Sequence, residues 1–214
     1  MHQIPRTKPF DEHFTQYEEW FDKNHFAYLS ELQAVRHFIP VNAKGVEIGI
    51  GSGRFATPLG IRVGVEPSRP MRAIAQTQGL QVYDGVAEHL PFEDAQFDFA
   101  LMVTTICFVD DVKASFEEAK RILKKDGKFI IGFVDRNSIL GKTYEEHKEK
   151  NVFYCDATFY STDEVLALLH KCGFNEHKEV QTIFGNLHEV TNIQEFKEGY
   201  GHGGFVVVCA TKPG

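Results

Sequence analysis

The feature of this sequence that most constrains its fold is the run GVEIGIGSGRFA, which places four glycines in an apolar segment between Gly45 and Ala56. The apolar residues predict a buried strand, and the glycines after it allow the backbone to turn tightly and to approach a ligand. A phosphate, a dinucleotide or a nucleoside without phosphate would each suit such a loop. The flanking residues have to distinguish these three ligand classes.

Predicted strands and helices alternate regularly from this run onward. The strands are predicted at residues 45–50, 61–67, 80–85, 97–106 and 128–134, and the helices between them at residues 54–59, 69–77 and 113–127. Such alternation is typical of right-handed β–α–β units in a doubly wound sheet. A helix over residues 161–173 and two strands, at residues 175–184 and 203–212, complete the pattern. We therefore predict an α/β, doubly wound (Rossmann-like), seven-stranded, mostly parallel sheet with an antiparallel C-terminal hairpin.

The N-terminal segment has the apolar spacing of helices, and Asn24 is predicted to divide it into two. We interpret residues 1–40 as a helical lid packed on the core and residues 41–214 as the ligand-binding domain. The length of 214 residues suits a single structural domain that contains both parts.

Charge and composition narrow the range of partners. Lys and Arg total 23 against 30 Asp and Glu, a net charge of −7, and the one basic cluster, residues 120–128, lies at the end of a predicted helix. We therefore expect no nucleic-acid partner. The four cysteines form no C-x-x-C pair and the histidines no ligand motif, so no metal is expected. No apolar run is long enough to span a membrane, and the N-terminus lacks a signal-peptide core, which predicts a cytoplasmic protein without membrane association.

The residues around the glycines favour the nucleoside. A Walker phosphate loop needs a Lys after its last glycine, and none follows Gly53; the dinucleotide fingerprint is matched only in part. The segment EIGIGSG, residues 47–53, resembles motif I (acid-x-G-x-G-x-G) of the class I S-adenosylmethionine (SAM)-dependent methyltransferases. SAM carries an ammonium, a carboxylate and a sulfonium but no phosphate, which suits an acid beside a glycine loop.

A longer segment carries the resemblance further. DGVAEHLPFEDAQFDFALMV, residues 84–103, resembles the G-D-A-E-x-L-P-F…F-D-x-V segment of the same family and is the most specific match in the chain. AKRILKKDGKFIIG and STDEVLALLHKCGF also resemble family segments, so the similarity runs from about Tyr17 to the end of the chain. It implies the class I methyltransferase fold of small-molecule, methyltransferase type 11-like members.

The resemblance implies SAM as cofactor, S-adenosylhomocysteine (SAH) as its product, and a role for individual residues. Glu47 would hold the ammonium, and Glu66, 19 residues later, the two ribose hydroxyls. Dinucleotide folds use a similarly spaced acid, so Glu66 alone does not separate the two families. The other implied cofactor-binding residues are Gly49, Gly51, Gly53, Pro67, Ser68, Met71, Val86, Ala87, Glu88, Val103, Thr104 and Tyr17.

One position departs from the family pattern. Val86 stands where the family often has an Asp that accepts a hydrogen bond from the adenine amino group. Adenine recognition is then expected from the backbone near Val86 and Ala87, or from Glu88.

The acceptor is expected at the end of the fourth predicted strand. The segment YEEWF resembles a Y-[DE]-x-W-F signature of small-molecule members, and the long connection over residues 135–160 is of a length that often carries function. The candidate substrate residues are Trp20, Thr105, Tyr144 and Tyr154.

The favoured hypothesis is a SAM-dependent methyltransferase that transfers a methyl group to a small-molecule acceptor by in-line attack. No catalytic residue is singled out; a general base is needed only if the acceptor must lose a proton, and the candidates are His13, His25, Tyr17 and His147. An NAD-dependent oxidoreductase is one alternative, although it does not account for Glu47 or the VAEHLPF segment. A non-catalytic protein that binds SAM or SAH is the other, and the sequence does not separate it from an enzyme or predict an oligomeric state.

Overall fold

An eight-stranded sheet runs through the part of the chain, residues 6–214, that the computed structural model describes. Its strands are β1 (Gly45–Ile48), β2 (Val63–Val65), β3 (Gln81–Tyr83), β4 (Phe97–Val103), β5 (Leu123–Val134), β6 (Asn175–Thr182), β7 (Lys197–Glu198) and β8 (Phe205–Thr211). Their order is β3-β2-β1-β4-β5-β8-β6-β7. Neighbouring strands from β3 to β5 pair in parallel, whereas β8 runs antiparallel to both β5 and β6.

The predicted fold class is confirmed, with two corrections at the C-terminus. The described chain has eight strands and not seven, because the two-residue β7 adds an edge strand beside β6. The last two long strands do pair antiparallel, but residues 183–204 separate them, so they do not form a tight hairpin. β8 lies between β5 and β6 because it is the more apolar strand: Phe205–Val208 is fully buried, whereas the first four residues of β6 are exposed.

The helices are α1 (Lys8–Glu12), α2 (Phe14–Lys23), α3 (His25–Arg36), α4 (Ala56–Leu59), α5 (Arg69–Thr77), α6 (Val112–Ile122), α7 (Ile139–His147) and α8 (Thr162–Lys171). Asn24 separates α2 from α3 as predicted, and α5 has the predicted bounds. α4 begins two residues later than predicted. Ser161 caps α8 through a capping box with Glu164, which supplies the start signal read from the sequence.

The predicted end of α6 at Gly127 is wrong, because the helix ends at Ile122. The backbone N–H groups of Ala95 and Gln96 donate to the carbonyls of Arg121 and Ile122 at 3.0 and 2.7 Å. These two N–H groups belong to the turn before β4 and take the place of the N–H donors that a further turn of α6 would supply. The next residue, Leu123, already pairs with Phe97 in the sheet. A pairing so distant in sequence overrides the helical propensity of the KK segment.

Two apolar layers cover the two faces of the sheet. One contains Phe116 of α6 and Val165 of α8 together with Phe129 of β5. The other contains Phe21 of α2 and Val35 of α3, packed with sheet residues such as Leu101 and Ile130 (both buried). The N-terminal helices therefore lie on the core, whereas the division at residue 40 stays an interpretation, and residues 1–5 lie outside the described part.

The strand order reverses between β1 and β4, which are neighbours and parallel. In open α/β sheets, ligands bind at the carboxyl ends of the strands at such a switch point. The glycine loop, Glu66 and Thr104 all follow the ends of β1, β2 or β4 and so converge there. Within the described chain, none of the helices has the length and hydropathy that a membrane crossing requires.

Candidate active site

A cavity of about 480 Å³ opens at the switch point. This volume is in the range of small-molecule sites. Most of the residues predicted from sequence line it, namely Tyr17, Gly49, Gly51, Glu66, Pro67, Met71, Val86, Ala87, Glu88, Val103, Thr104 and Thr105. Those predicted residues that do not line it are Glu47, Gly53, Ser68, Trp20, Tyr144 and Tyr154.

The glycine loop packs closely on its neighbours. Gly49 has φ +71°, and a Cβ there would collide with the side chain of Thr105. Gly51 has φ +55°, and its Cβ would lie 3.4 Å from the Tyr17 hydroxyl oxygen. Both positions therefore favour glycine for conformation, and Gly49 also needs it for space, whereas a Cβ at Gly51 would make an ordinary contact. Gly53 lies behind the cavity, where its Cβ would meet Leu80 at 2.5 Å.

Glu66 joins two segments of the cavity wall. Its carboxylate accepts the backbone N–H of Gly51 at 2.9 Å on one oxygen and that of Ser68 at 2.8 Å on the other. Burial raises the pKa of Glu66 to about 7, against the lowering effect of these two hydrogen bonds. Each oxygen keeps lone-pair capacity toward the cavity, because a carboxylate has about four acceptor positions.

Ser68 begins α5 and does not reach the cavity. Its hydroxyl accepts the N–H of Met71 at 3.4 Å as the helix N-cap and donates to Asp11 of α1 at 2.7 Å. Met71 is buried and lines the cavity. Ser68 therefore fixes the start of α5 and ties α1 to the cavity wall, a structural role that its sequence motif did not predict.

Glu47 lies in β1 and is 2% exposed. Its Oε2 is buried and has no hydrogen-bond partner within residues 6–214. Burial raises the pKa of Glu47 well above its usual range, a hydrogen bond from the Ala56 backbone opposes this, and the charge of Glu66 adds to it. Glu47 also raises the pKa of Tyr17, although burial, Glu66 and Glu18 contribute more. A buried carboxylate oxygen without a donor is unfavourable unless a ligand supplies one.

The region predicted for adenine is built on backbone. Val86 forms an isolated antiparallel bridge with His89, and both line the cavity with Ala87. One carboxylate oxygen of Glu88 accepts the N–H groups of Asp110 and Asp111 at 2.7 and 3.2 Å. Glu88 thus holds the loop after β4 against the cavity while its other oxygen forms no hydrogen bond among the described residues.

The N-terminal segment covers the cavity, which sequence reasoning predicted only in outline. Arg6, Thr7 and Phe10 line it. Arg6 forms an ion pair with Asp110 at 3.1 Å, and the rings of Phe10 and Phe108 meet edge to face at 5.1 Å. The sequence alone indicates no role for these residues, because no local motif predicts contacts between segments so far apart in the chain.

A second contact holds α2 on the glycine loop. Glu18 accepts hydrogen bonds from the Ser52 hydroxyl and from Arg54 Nε, the latter at 2.7 Å. Glu18 also forms an ion pair with the Arg54 guanidinium at 2.5 Å, and the Arg54 and Glu18 side chains are 30% and 24% exposed. Glu18, the acidic residue of the YEEWF segment, therefore holds α2 on the glycine loop, where the neighbouring Tyr17 lies next to Gly51.

The predicted acceptor residues form an aromatic cluster beside the cavity. The rings of Tyr144 and Tyr154 stack at 5.1 Å, and Tyr154 stacks on the cavity-lining Phe108 at 6.0 Å. Burial raises the pKa of Tyr144, and the nearby indole of Trp20 acts in the opposite direction. Tyr154 borders a void of about 10 Å³ that Thr104 also lines. The structure thus brings Trp20, Tyr144 and Tyr154 together next to, and not within, the main cavity.

Comparison with known proteins decides the family. The methyltransferase domain family matches residues 46–131. A crystal structure from Thermotoga maritima, described as a SAM-dependent methyltransferase and "possible histamine N-methyltransferase", is 55% identical with a TM-score of 0.93, over 96% of this chain and 98% of that one. The chain belongs to the SAM-dependent methyltransferases.

Two further comparisons show the spread of this methyltransferase's relatives. An uncharacterized protein of Methanocaldococcus jannaschii is 47% identical over 95% of this chain and 98% of its own length. The Haemonchus contortus phosphoethanolamine N-methyltransferase 2, solved with phosphomonomethylethanolamine and SAH, has a TM-score of 0.62 over 86% of this chain and 52% of that chain. At 17% identity the latter comparison shows the fold alone.

The residues of the cavity fit SAM as the methyltransferase's cofactor. Glu47 does not line the cavity, but it lies in β1 just before the glycine loop, and its Oε2 has no hydrogen-bond partner within residues 6–214; an ammonium there would supply both a donor and a counter-charge. The Glu66 carboxylate has acceptor positions left for two hydroxyls. Both carboxylates are buried, and the charged form of a buried carboxylate is unfavourable without such partners.

Proposed function

We propose that this methyltransferase transfers the methyl group of SAM to a nitrogen of a small-molecule acceptor by in-line attack. The observation that carries the proposal is the position of Thr104 and Thr105 at the end of β4, in the SAM cavity, with Thr104 also bordering the aromatic cluster of Tyr154. An acceptor held by that cluster would face the cavity from one side.

Bound SAM would supply an activated methyl group on a sulfonium. The chain would contribute position, orientation and exclusion of water. Glu47 and Glu66 would hold the two ends of the cofactor's methionine and ribose portion, with Gly49 and Gly51 allowing close backbone approach. Tyr17, packed over Gly51, and Phe10 would keep water from the reacting centre.

The small size of the acceptor is inferred from the cover over the cavity. The Arg6–Asp110 ion pair and the Phe10–Phe108 contact join residues that line the cavity with Thr104, and we infer that they narrow the approach of a macromolecule to Thr104. The net charge of −7 also disfavours a polyanionic partner. Nitrogen as the acceptor atom is supported by the Thermotoga maritima relative, which is described as a possible histamine N-methyltransferase.

None of the four base candidates named from the sequence is placed to act as a base, which favours an acceptor that needs no base from among them. His25 and His147 are exposed, and His147 is engaged with the carbonyl of Thr143 at 2.9 Å. Burial, with the charges of Glu66 and Glu18, raises the pKa of Tyr17, which makes its phenolate inaccessible at neutral pH. His13 lies at the junction of α1 and α2, outside the cavity lining. A neutral amine nitrogen has its own lone pair and fits this site.

The proposal is tested by incubating the purified protein with SAM carrying a labelled methyl group and a panel of small amines that includes histamine. Mass spectrometry of the products would identify the methylated nitrogen. Labelled product from an amine supports the proposal. Labelled product only from alcohols, thiols or nucleic acid would contradict the nitrogen assignment, and SAM binding with no transfer to any compound class would contradict catalysis on small molecules.

A further inference from the structure

Asp11 joins the α1 segment (residues 6–12) to the wall of the cavity without lining the cavity itself. Its Oδ1 accepts the Ser68 hydroxyl at 2.7 Å, and its Oδ2 accepts the Thr7 hydroxyl at 2.9 Å. Ser68 is buried, and its backbone N–H donates to Glu66 at 2.8 Å. A continuous series of hydrogen bonds therefore runs from Thr7, which lines the cavity, through Asp11 and Ser68 to Glu66, which also lines it.

The α1 segment is also attached to the loop after β4. Arg6 forms an ion pair with Asp110 at 3.1 Å, and the ring of Phe10 meets that of Phe108 edge to face at 5.1 Å. The segment is thus held at the start of α5, which follows β2, and at the loop after β4. Because β2 and β4 lie on either side of β1 in the sheet, a segment held at both points spans the cavity at the carboxyl end of β1.

The polar attachments of the α1 segment differ in strength. The Arg6 side chain is 37% exposed, and water and salt weaken an ion pair of that kind. The hydrogen bond between Asp11 and Ser68 ends on a buried hydroxyl and is charge-assisted, so it is the stronger of the two. Asp11 is therefore the polar residue on which the position of the segment chiefly depends.

We propose that Asp11 is a positioning residue for the cofactor. By holding the α1 segment on Ser68, it keeps Thr7 and Phe10 over bound SAM or SAH, and the Asp11–Ser68 hydrogen bond has to break before the cofactor exchanges. The proposal rests on the proposed function, since it takes SAM as the occupant of the cavity. It deepens that function by naming the residue that sets how long the cofactor stays bound.

The alternative is that the Asp11–Ser68 hydrogen bond only stabilises the fold. The two accounts differ in the kinetics of SAH. If the α1 segment covers the cofactor, a weaker attachment raises the dissociation rate constant and does not lower the association rate constant. If the bond only stabilises the fold, its loss lowers the fraction of molecules that bind SAH, and the molecules that still bind release it at the wild-type rate.

The experiment measures association and dissociation of SAH by surface plasmon resonance, and the number of sites per chain by calorimetry. The variants are Asp11→Ala and Asp11→Asn, whose amide oxygen still accepts the Ser68 hydroxyl although the charge is lost. The matched control is Glu12→Ala, which removes an exposed acid from the next position of the same helix. A second control is Glu117→Gln on the surface of α6, where Glu117 pairs with Lys113.

We expect Asp11→Ala to release SAH about tenfold faster than the wild type, because the hydrogen bond that is lost is charge-assisted. Its association rate constant should be at least as high as that of the wild type, with the same number of sites per chain. Asp11→Asn should release SAH at an intermediate rate, and both controls at the wild-type rate. In a Ser68→Ala background the Asp11→Ala change should have little further effect, because Asp11 acts through Ser68.

Equal dissociation rate constants in the wild type and Asp11→Ala would overturn the positioning role of Asp11. Fewer sites per chain with an unchanged dissociation rate constant, or release from Glu12→Ala as fast as from Asp11→Ala, would overturn it as well. If Asp11→Ala does not fold, Asp11→Asn decides by the same comparison, and release at the wild-type rate contradicts the proposal. Failure of the wild-type protein to bind SAH would overturn the proposed function together with this proposal, which separates that result from failure of the positioning role alone.

Discussion

The carboxylate of Glu66 and the backbone N–H of Gly51 are joined by a hydrogen bond of 2.9 Å. Through this bond the acid at the end of β2 holds the glycine loop after β1, and through Ser68 it also holds the start of α5. One side chain therefore fixes the walls of the cavity and presents acceptors to it.

Replacement of Glu66 by Ala is expected to weaken SAH binding by about 10- to 100-fold, because charge-assisted hydrogen bonds of this kind contribute about 1.5–3 kcal/mol each. Glu66→Gln should retain part of the affinity, since its amide oxygen still accepts one hydrogen bond. Calorimetric titration with SAH measures both, with Glu117→Gln as the surface control. An affinity in Glu66→Ala equal to that of the wild type would show that the carboxylate does not contact the cofactor.

Replacement of Glu47 by Gln is expected to raise the stability of the ligand-free protein and to weaken SAH binding. Glu47→Gln removes a buried carboxyl whose Oε2 has no partner among the described residues, so the free energy of unfolding of the ligand-free protein should rise at neutral pH. SAH binding should weaken, because the ammonium loses its counter-charge. Urea unfolding and calorimetry on the same preparation check the two effects, and an increase in stability with undiminished SAH affinity would remove Glu47 from the cofactor site.

The pH dependence of stability follows from the same burial. The pKa is about 7 for Glu66 and about 8 for Glu31, and both values are above the ordinary carboxyl value of 4.5. The folded state therefore binds protons more strongly than the unfolded state, so these groups stabilise the ligand-free protein below about pH 4.5 and that contribution is lost as the pH rises through 7 and 8. Urea unfolding at pH 5.5 and pH 8.5 should show a decrease in stability that is smaller in Glu31→Gln. An identical decrease in the variant would contradict the raised pKa of Glu31.

The close packing of Gly49 against Thr105 predicts that alanine will have different effects at Gly49 and at Gly60, two glycines with positive φ. Gly60→Ala, at φ +75° with no heavy atom within 4 Å of the new Cβ, should lower stability by about 1–2 kcal/mol for the left-handed conformation alone. Gly49→Ala should lower it by more, because its Cβ also collides with Thr105. Thr105→Ala in the Gly49→Ala background should recover part of the difference. Urea unfolding measures the series, and equal losses at the two glycines would contradict the packed loop contact.

Local sequence patterns predicted most of the helices and strands and many of the residues that line the cavity. The glycine loop, Glu66 and the segment around Val86 lie on consecutive strand ends, and parallel strands bring such ends together. What the sequence could not supply are contacts between distant segments. The end of α6 is decided by the turn before β4, and the place of β8 by burial that only the assembled sheet defines.

In the candidate site, too, local features were predicted from the sequence and contacts between distant segments were not. Glu18 is the acidic residue of the YEEWF segment, but its hydrogen bonds to Ser52 and Arg54 join residues 34 and 36 positions apart, which no local motif predicts.

The measurement that tests the central claim most directly is calorimetric titration of the wild-type protein with SAM and SAH, with NAD as control. We predict saturable binding of SAM and SAH near one ligand per chain, and no binding of NAD. Binding of NAD in place of SAM, or no binding of SAM and SAH by the folded protein, would contradict the assignment of this cavity to a methyltransferase's cofactor.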